Sequence, residues 1–395
     1  MKNKPNNLFL HADGDAFFVA CELTREPQLK GKPVIVGEDR GIAVAMSSEA
    51  KNLGVTRGMP IFQIKKQYPT VVILSHHFDL YHEISRKMHE ILLSYFETVE
   101  VYSIDECFAI VKPSDIVYFK GEKKLLTDIK NEIQESLGVT YSFGLARTKA
   151  LAKQASKLEK PNGMVLLLTH DDEVRALKAT ALDDIWGIGK RIAPRLHALG
   201  LHTAYDFVRY SSEKLRSNFS EPLTVLQKEL GGESIMEVVD DVDPRDQKSL
   251  QSTSTFRPPS TDIKIIWGEL VGNAEHACQR ARAVHLVSNK VSFFVKTNDF
   301  VYYSDEAKLT LYSSDPGAFL RAIKPKLAKL LKRGEKIRST GITLHNLIRE
   351  ENTPKDLFGE QAKVLKKLIV EETADKMRKK YGNDIIKRAS SLKKK

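Results

Sequence analysis

No stretch of this 395-residue chain approaches the roughly 20 consecutive apolar residues that a helix needs to cross a bilayer, so no membrane-spanning helix is expected. The opening segment Met1 to Asn7 is polar and leads straight into an apolar run, so no secretory signal is expected either. Cysteine is scarce. Cys21, Cys107 and Cys278 stand far apart, which excludes a thiolate metal-ligand spacing and a disulfide framework and predicts a reducing, cytoplasmic setting. No internal repeat is present. What remains is an ordinary globular composition, 42% hydrophobic and 29% charged, on a chain long enough for two to four domains.

The charge is unevenly spread. Residues 251–395 hold 29 Lys and Arg against 16 Asp and Glu, whereas residues 1–250 hold 33 against 35. A basic module beside a near-neutral one fits a polyanion clamped by the first and acted on by the second. A merely solvated basic surface is the alternative.

Leu8 to Ala12 reads as a short apolar strand running into Asp13-Gly14-Asp15, and Gly31 to Val36 and Ile42 to Met46 supply two more strands. Ser47 to Gly54 reads as a helix closed by glycine. Phe78 to Phe96 has a helical apolar period, Val99 to Val111 suits a hairpin, and Leu125 to Leu137 is amphipathic. Tyr141 to Leu145 is a strand, a Lys-rich helix spans Lys149 to Leu158, and Lys160-Pro161-Asn162-Gly163 is a turn. Short helices without strands fill Asp171 to Leu230, and polar Asp240 to Gln251 reads as a linker. Beyond it, strands at Val291 to Val295, Lys308 to Tyr312 and Ser339 to Leu347 alternate with helices at Ile266 to Leu286 and Ala318 to Lys332, a small α+β module. Residues 351–395 are helical and basic.

Acidic residues at strand ends carry the chemical signal. A lone Asp13 would serve as a turn former, but Asp105-Glu106 interrupts two β-rich runs with adjacent carboxylates that repel one another. Strand alternation would send them to opposite faces, so a turn or bulge must intervene for both to act together. A divalent cation relieves such repulsion, and Mg²⁺ prefers oxygen donors completed by substrate phosphates. Two ions about 3.5–4 Å apart can hold the attacking and leaving oxygens of an in-line displacement.

His11 to Glu22, with Asp13-Gly14-Asp15 followed by Phe17-Phe18, resembles the opening strand of the Y-family DNA polymerases; Ser103-Ile104-Asp105-Glu106 and Lys160-Pro161-Asn162-Gly163 match that family's second and third motifs. The order and spacing agree over roughly residues 8–350. The resemblance implies that Asp13, Asp105 and Glu106 hold two Mg²⁺ ions, helped by the Gly14 carbonyl, and that Phe18 is a steric gate excluding a 2′-hydroxyl. Phe17 beside it is either a substrate contact or a core residue. Lys160 matches the family's phosphate-reaching lysine. Ser48 and Lys51 stand where many members carry tyrosine and arginine, keeping hydroxyl and charge but not reach or bidentate geometry. The wording is closer to the UmuC branch than to the DNA polymerase IV branch.

Ile185-Trp186-Gly187-Ile188-Gly189-Lys190 looks like a helix-hairpin-helix, in which Gly187, Gly189 and Lys190 would meet a DNA phosphate, with Pro194 in the next first turn. No aromatic platform for single-strand binding stands out. Asp356-Leu357-Phe358 is similar to the end of a sliding-clamp-binding peptide that lacks its glutamine, and Asp375 to Ser390 is similar to the end of UmuC-type chains.

The expected architecture is α+β and multidomain, a right-hand polymerase. A ferredoxin-like palm would take residues 1–16 and 78–168, small fingers 17–77, a helical thumb with the helix-hairpin-helix 169–240, and a linker 241–250. An α+β little finger would take 251–350 and a basic tail 351–395. The resemblance implies error-prone translesion synthesis in DNA repair and the SOS response by a monomer. Its partners would be primer-template DNA, deoxynucleoside triphosphates and, through the tail, a sliding clamp. A non-catalytic DNA-binding or recruitment protein that keeps the fold, and a nucleotidyl cyclase-like enzyme, remain as rival readings.

Overall fold

The computed structural model describes residues 7–39, 41–240, 243–331, 334–354, 361–382 and 385–389. The Asp356-Leu357-Phe358 segment, most of the Asp240–Val242 stretch and Ser390 lie outside the described residues. Two compact units, Met1–Asp241 and Val242–Lys395, divide the chain.

The first unit runs β1 (Leu8–Gly14), α1 (Phe17–Arg25), β2 (Val34–Val36), β3 (Ala45–Met46), α2 (Ser48–Asn52), α3 (Ile61–Gln67), β4 (Val72–Leu74) and α4 (Phe78–Tyr95). It continues through β5 (Val99–Val101), β6 (Glu106–Val111), α5 (Pro113–Tyr118), α6 (Glu122–Leu137), β7 (Tyr141–Ala146), α7 (Lys149–Leu158) and β8 (Met164–Leu167). Five short helices follow: α8 (His170–Ala179), α9 (Ala193–His197), α10 (Ala204–Arg209), α11 (Ser212–Asn218) and α12 (Glu221–Leu230).

The main sheet has the order β5-β6-β1-β7-β8, with β1 antiparallel to both neighbours and β8 parallel to β7. Alternation along β1 sends Leu10 and Ala12 into one core with α1, α4 and α6, whereas Phe9 joins a second core with α7 and the short helices. Both faces of this sheet are therefore covered. Two of the short helices, α8 and α10, have satisfied N-termini: Thr169 with Asp172 and Thr203 with Asp206 form reciprocal capping boxes. A separate three-stranded sheet, β3-β2-β4, packs with α2 and α3 around Ile35, Ile61 and Ile64.

The second unit comprises β9 (Leu250–Ser260), α13 (Ile263–Ala283), β10 (Leu286–Thr297), β11 (Tyr302–Ser313), α14 (Pro316–Leu330), β12 (Ile337–His345), β13 (Ile348–Arg349) and α15 (Gln361–Tyr381). Its sheet is antiparallel, ordered β11-β10-β12-β9, with α13 and α14 packed on one face. On the other face Gln251, Thr253 and Thr255 of β9 align with Thr343, Gly341 and Ser339 of β12 and with Ser292, Phe294 and Lys296 of β10.

An α+β architecture in several sheets matches the sequence reading, with instructive differences. Ile42 to Met46 yields a strand only at Ala45–Met46, since Ile42 is drawn into a bridge with Pro60. Leu250, read as linker, opens the eleven-residue strand β9: Leu250, Ser252 and Phe256 face inward, and the serine is accepted because its hydroxyl donates to Asn273 at 3.1 Å. Helices α1, α3 and α5 escaped notice because they are short, and packing rather than periodicity sustains them.

Candidate active site

The register between β1 and β6 sets Asp13 opposite Glu106 and His11 opposite Phe108. Asp105 is not a strand residue. It closes the loop between β5 and β6, and its carbonyl accepts the Gly14 N–H at 2.9 Å, which pins the loop to the end of β1. The turn that alternation demanded is thus present, and it brings Asp105 to the same strand ends as its neighbour. Ser103 Oγ donates to Asp105 Oδ1 at 2.6 Å and fixes that carboxylate's orientation.

Cations meet these carboxylates from two directions. Lys160 Nζ pairs with Asp13 Oδ1, and Lys153 Nζ lies 2.8 Å from Glu106 Oε2. Lys149 and Lys153 are one helical turn apart on α7, so both face the sheet. The helix sits close because β7 offers Gly144, where an added Cβ would stand 2.1 Å from the Ala152 carbonyl oxygen. Lys149 is buried and pairs with Glu100 at 2.5 Å, its ammonium 4.6 Å from the Phe108 ring centre. Lys153 lies 4.6 Å from the Tyr102 ring centre and 5.4 Å from that of Trp186. Aromatic faces and specific anions together make buried ammonium groups tolerable.

The Lys160 turn is itself held. Asp15 accepts Ser142 Oγ at 2.7 Å and the Asn162 N–H at 2.8 Å, and Ser142 Oγ accepts the Gly163 N–H at 3.2 Å. Gly163 is forced by close approach: a Cβ there would lie 2.2 Å from the Glu159 carbonyl oxygen. Asp15, read in sequence as part of a turn, is the anchor that places Lys160.

Burial above all, then the nearby Glu106 and Asp105, push the Asp13 carboxyl up to about 6 even though Lys160 opposes the shift. Burial, with Lys153 and Lys160 beside it, holds His11 well below the ordinary histidine range, so it is a neutral group whose Nδ1 meets Ser156 Oγ at 2.7 Å. Ligand atoms of His11, Asp13 and Glu106 all lie within 4.8 Å of one another, close enough to hold a metal ion. The hard carboxylate oxygens suit Mg²⁺, and a bound cation would offset the burial that raises the Asp13 carboxyl as well as the smaller repulsion from Glu106 and Asp105.

The two phenylalanines part company. Phe17 is buried, under Gly14 and against Tyr81 and Tyr141, and its ring packs in the core. Phe18 is half-buried and stacks on Tyr81. Ser48 and Lys51 are exposed on α2, three residues apart. The cap of that helix is Ser47, whose Oγ accepts the N–H groups of Ala50 and Val34 at 3.2 and 3.1 Å. Among the described residues no hydrogen bond or ion pair ties Ser48 or Lys51 to the carboxylates. Gly187, Gly189 and Lys190 are all exposed; Gly187 takes a φ of 88°, and the Gly189 carbonyl accepts the N–H groups of Ile192 and Ala193 as α9 begins. Pro194 lies in that helix's first turn, where no amide proton is needed.

Residues 12–157 match the model of the impB/mucB/samB family, and residues 247–357 match its C-terminal domain. The chain is 33% identical to DNA polymerase IV of Desulfatibacillum aliphaticivorans, over 87% of its own length and 86% of that protein's. It is 30% identical to Protein UmuC of Salmonella typhimurium, over 96% and 92%. The chain belongs to the Y family of DNA polymerases. A solved Y-family DNA polymerase chimera, Dbh-Dpo4(243-245)-Dbh, shares the fold with a TM-score of 0.74 at 24% identity, covering 87% of this chain and 99% of that one. A structure described as an insertion ternary complex of Dbh DNA polymerase gives 0.55 at the same identity and coverage.

Family membership makes this Y-family polymerase a DNA-directed DNA polymerase of translesion synthesis and DNA repair. Relatives named DNA polymerase IV and UmuC match it at similar identity, so similarity does not choose between the branches. Among the described residues no helix is long and apolar enough to cross a membrane. Sequence reasoning missed Lys153 and Lys149 as partners of acidic groups. Their one-turn spacing beside Gly144 was the available signal, but a lysine face on a helix ordinarily means solvent. His11, Ser103 and Ser142 left no comparable mark.

Proposed function

We propose that this Y-family polymerase extends a primer by two-metal phosphoryl transfer at Asp13, Asp105 and Glu106. The observation that carries the reading is the register pairing of Asp13 with Glu106, with Asp105 pinned beside Gly14. These three carboxylates would hold two Mg²⁺ ions, with Asp13 and Asp105 shared. Bound there, the ions would supply charge neutralisation and activate the attacking and leaving oxygens. The primer 3′-oxygen attacks the α-phosphorus of a deoxynucleoside triphosphate, and pyrophosphate leaves. The protein's own part is to position the reactants and meet charge.

Lys160 turns from Asp13 to the triphosphate when nucleotide and cations arrive, and Lys153 holds Glu106 in place from below. Ser48 and Lys51 meet the nucleotide from α2, and Phe18 excludes the ribose 2′-hydroxyl. Gly187, Gly189 and Lys190 meet a duplex phosphate through free N–H groups and charge. The open face of the second unit, with Thr253, Thr255, Ser292 and Lys296, tracks the DNA backbone. Palm (1–16 and 78–168), fingers (17–77), thumb (169–240), linker (241–250), little finger (251–350) and basic tail (351–395) describe this division of labour. The chain acts as a cytoplasmic monomer in the SOS response, with the tail as the site of any sliding-clamp contact.

Primer extension on an undamaged and a lesion-bearing template, with and without Mg²⁺, tests the proposal. Extension that requires Mg²⁺ and vanishes in Asp105→Ala is the expected result. DNA binding without extension by the native chain would return the protein to a recruitment role.

A further inference from the structure

Phe18 and Glu22 stand one turn apart on α1 and so share a face. Across from them α4 presents a single residue, Tyr81, that touches both. The Tyr81 ring stacks on Phe18 with centres 4.5 Å apart and planes 14° from parallel, and its hydroxyl donates to Glu22 Oε1 at 2.5 Å. Phe78 closes the group edge-on, 5.9 Å from Phe18 and 5.6 Å from Tyr81. Tyr81 is wholly buried and Glu22 only 3% exposed, while His77 Nδ1 meets the glutamate at 3.0 Å.

Burying a carboxylate and a phenol is costly, and two apolar side chains of similar volume would fill the space more cheaply. What the polar pair adds is orientation. A ring held only by dispersion can slide and tilt, whereas a ring anchored through its hydroxyl cannot. Half-buried Phe18 has no polar handle of its own, so its tilt is set by the surface behind it. A displacement of ~1 Å at a reacting geometry can cost about 10²-fold.

We propose that Tyr81, anchored by Glu22, is a positioning residue for the sugar gate: it fixes the tilt of Phe18 and thereby sets discrimination against ribonucleotides. The inference rests on the reading of Phe18 as the gate. Neither Tyr81 nor Glu22 contacts the nucleotide; both act through the Phe18 ring.

The test is kcat/KM for a deoxynucleotide and its ribonucleotide counterpart, with Mg²⁺ and primer-template, in the native chain and in F18A, Y81L, Y81F, E22Q and the F18A/Y81L double variant. F18A is expected to relax sugar selectivity about 100-fold, Y81L about tenfold, and Y81F and E22Q about threefold, mainly through faster ribonucleotide use. The double variant should match F18A, because a residue acting only through the ring adds nothing once the ring is gone. If F18A relaxes selectivity while Y81L, Y81F and E22Q stay within about twofold of native, the positioning role is wrong and the gate stands. If F18A itself leaves selectivity unchanged, the gate reading falls and takes this inference with it. A double variant about tenfold more relaxed than F18A would overturn action through Phe18. Should Y81L fail to fold, Y81F and E22Q, which preserve volume, still decide the matter.

Discussion

The sheet of the first unit is covered by helices on both faces, whereas the antiparallel sheet of the second is covered on one. Charge follows that difference. Against the first sheet Lys149 meets Glu100 and Lys153 meets Glu106, both pairs largely shielded from water, while exposed Lys160 reaches buried Asp13 from the turn after α7. On the open face of the second, Lys296 lies 4.6 Å from the ring centre of half-exposed Tyr302, and Lys308 is solvent-exposed. Buried charge is specific and expensive to disturb; exposed charge is diffuse, additive and screened by salt. The proposed catalytic site would need the first kind, and the proposed DNA-tracking face the second.

The sharpest way to break this contrast is at the carboxylates. Asp13→Ala, Asp105→Ala and Glu106→Ala should each lower primer extension by about 10³-fold or more, with DNA affinity changed by only a few-fold. Single-nucleotide incorporation and a binding titration check both halves. Lys153→Met should cost about 10²-fold in kcat and about 2 kcal/mol of stability, because partly buried Glu106 is left without its partner. Denaturant melts and kinetics together would separate the two losses, and an unchanged kcat would leave Lys153 a purely structural cation.

Lys149→Ala should destabilise the fold by about 3 kcal/mol through the stranded Glu100, with kcat within about threefold of native below the melting range. Gly144→Ala should cost about 2 kcal/mol, because its Cβ would press the Ala152 carbonyl and lift α7 from the sheet. The smallest effect belongs to the open face. Lys308→Ala should weaken DNA binding a few-fold and lower the slope of log affinity against log salt by about 0.9, with kcat untouched. A large kcat defect there would erase the distinction between the two sheets.

Much of this was legible in the chain itself. An apolar run ending at Asp13, and Asp105-Glu106 inside β-rich sequence, pointed to the carboxylates of the proposed site, because charge at the end of a buried strand is costly unless it is used. The α+β character of both units also followed from local periodicity. Ser252 shows where such reading stops: a hydroxyl-rich run looks like surface until Asn273 on another element supplies its partner. Phe17 and Phe18, identical in type and adjacent, could not be sorted by pattern, since only the packing of α4 buries one and backs the other.

Strand, turn and carboxylate placement are short-range properties, written in residue order through backbone geometry and side-chain polarity. The pairing of Lys153 with Glu106, the anchoring of the Lys160 turn by Asp15 and the contact of Tyr81 with both Phe18 and Glu22 join residues far apart in the chain. Only the tertiary structure decided these, because whether a buried charge or ring is satisfied depends on which distant group packing delivers to it.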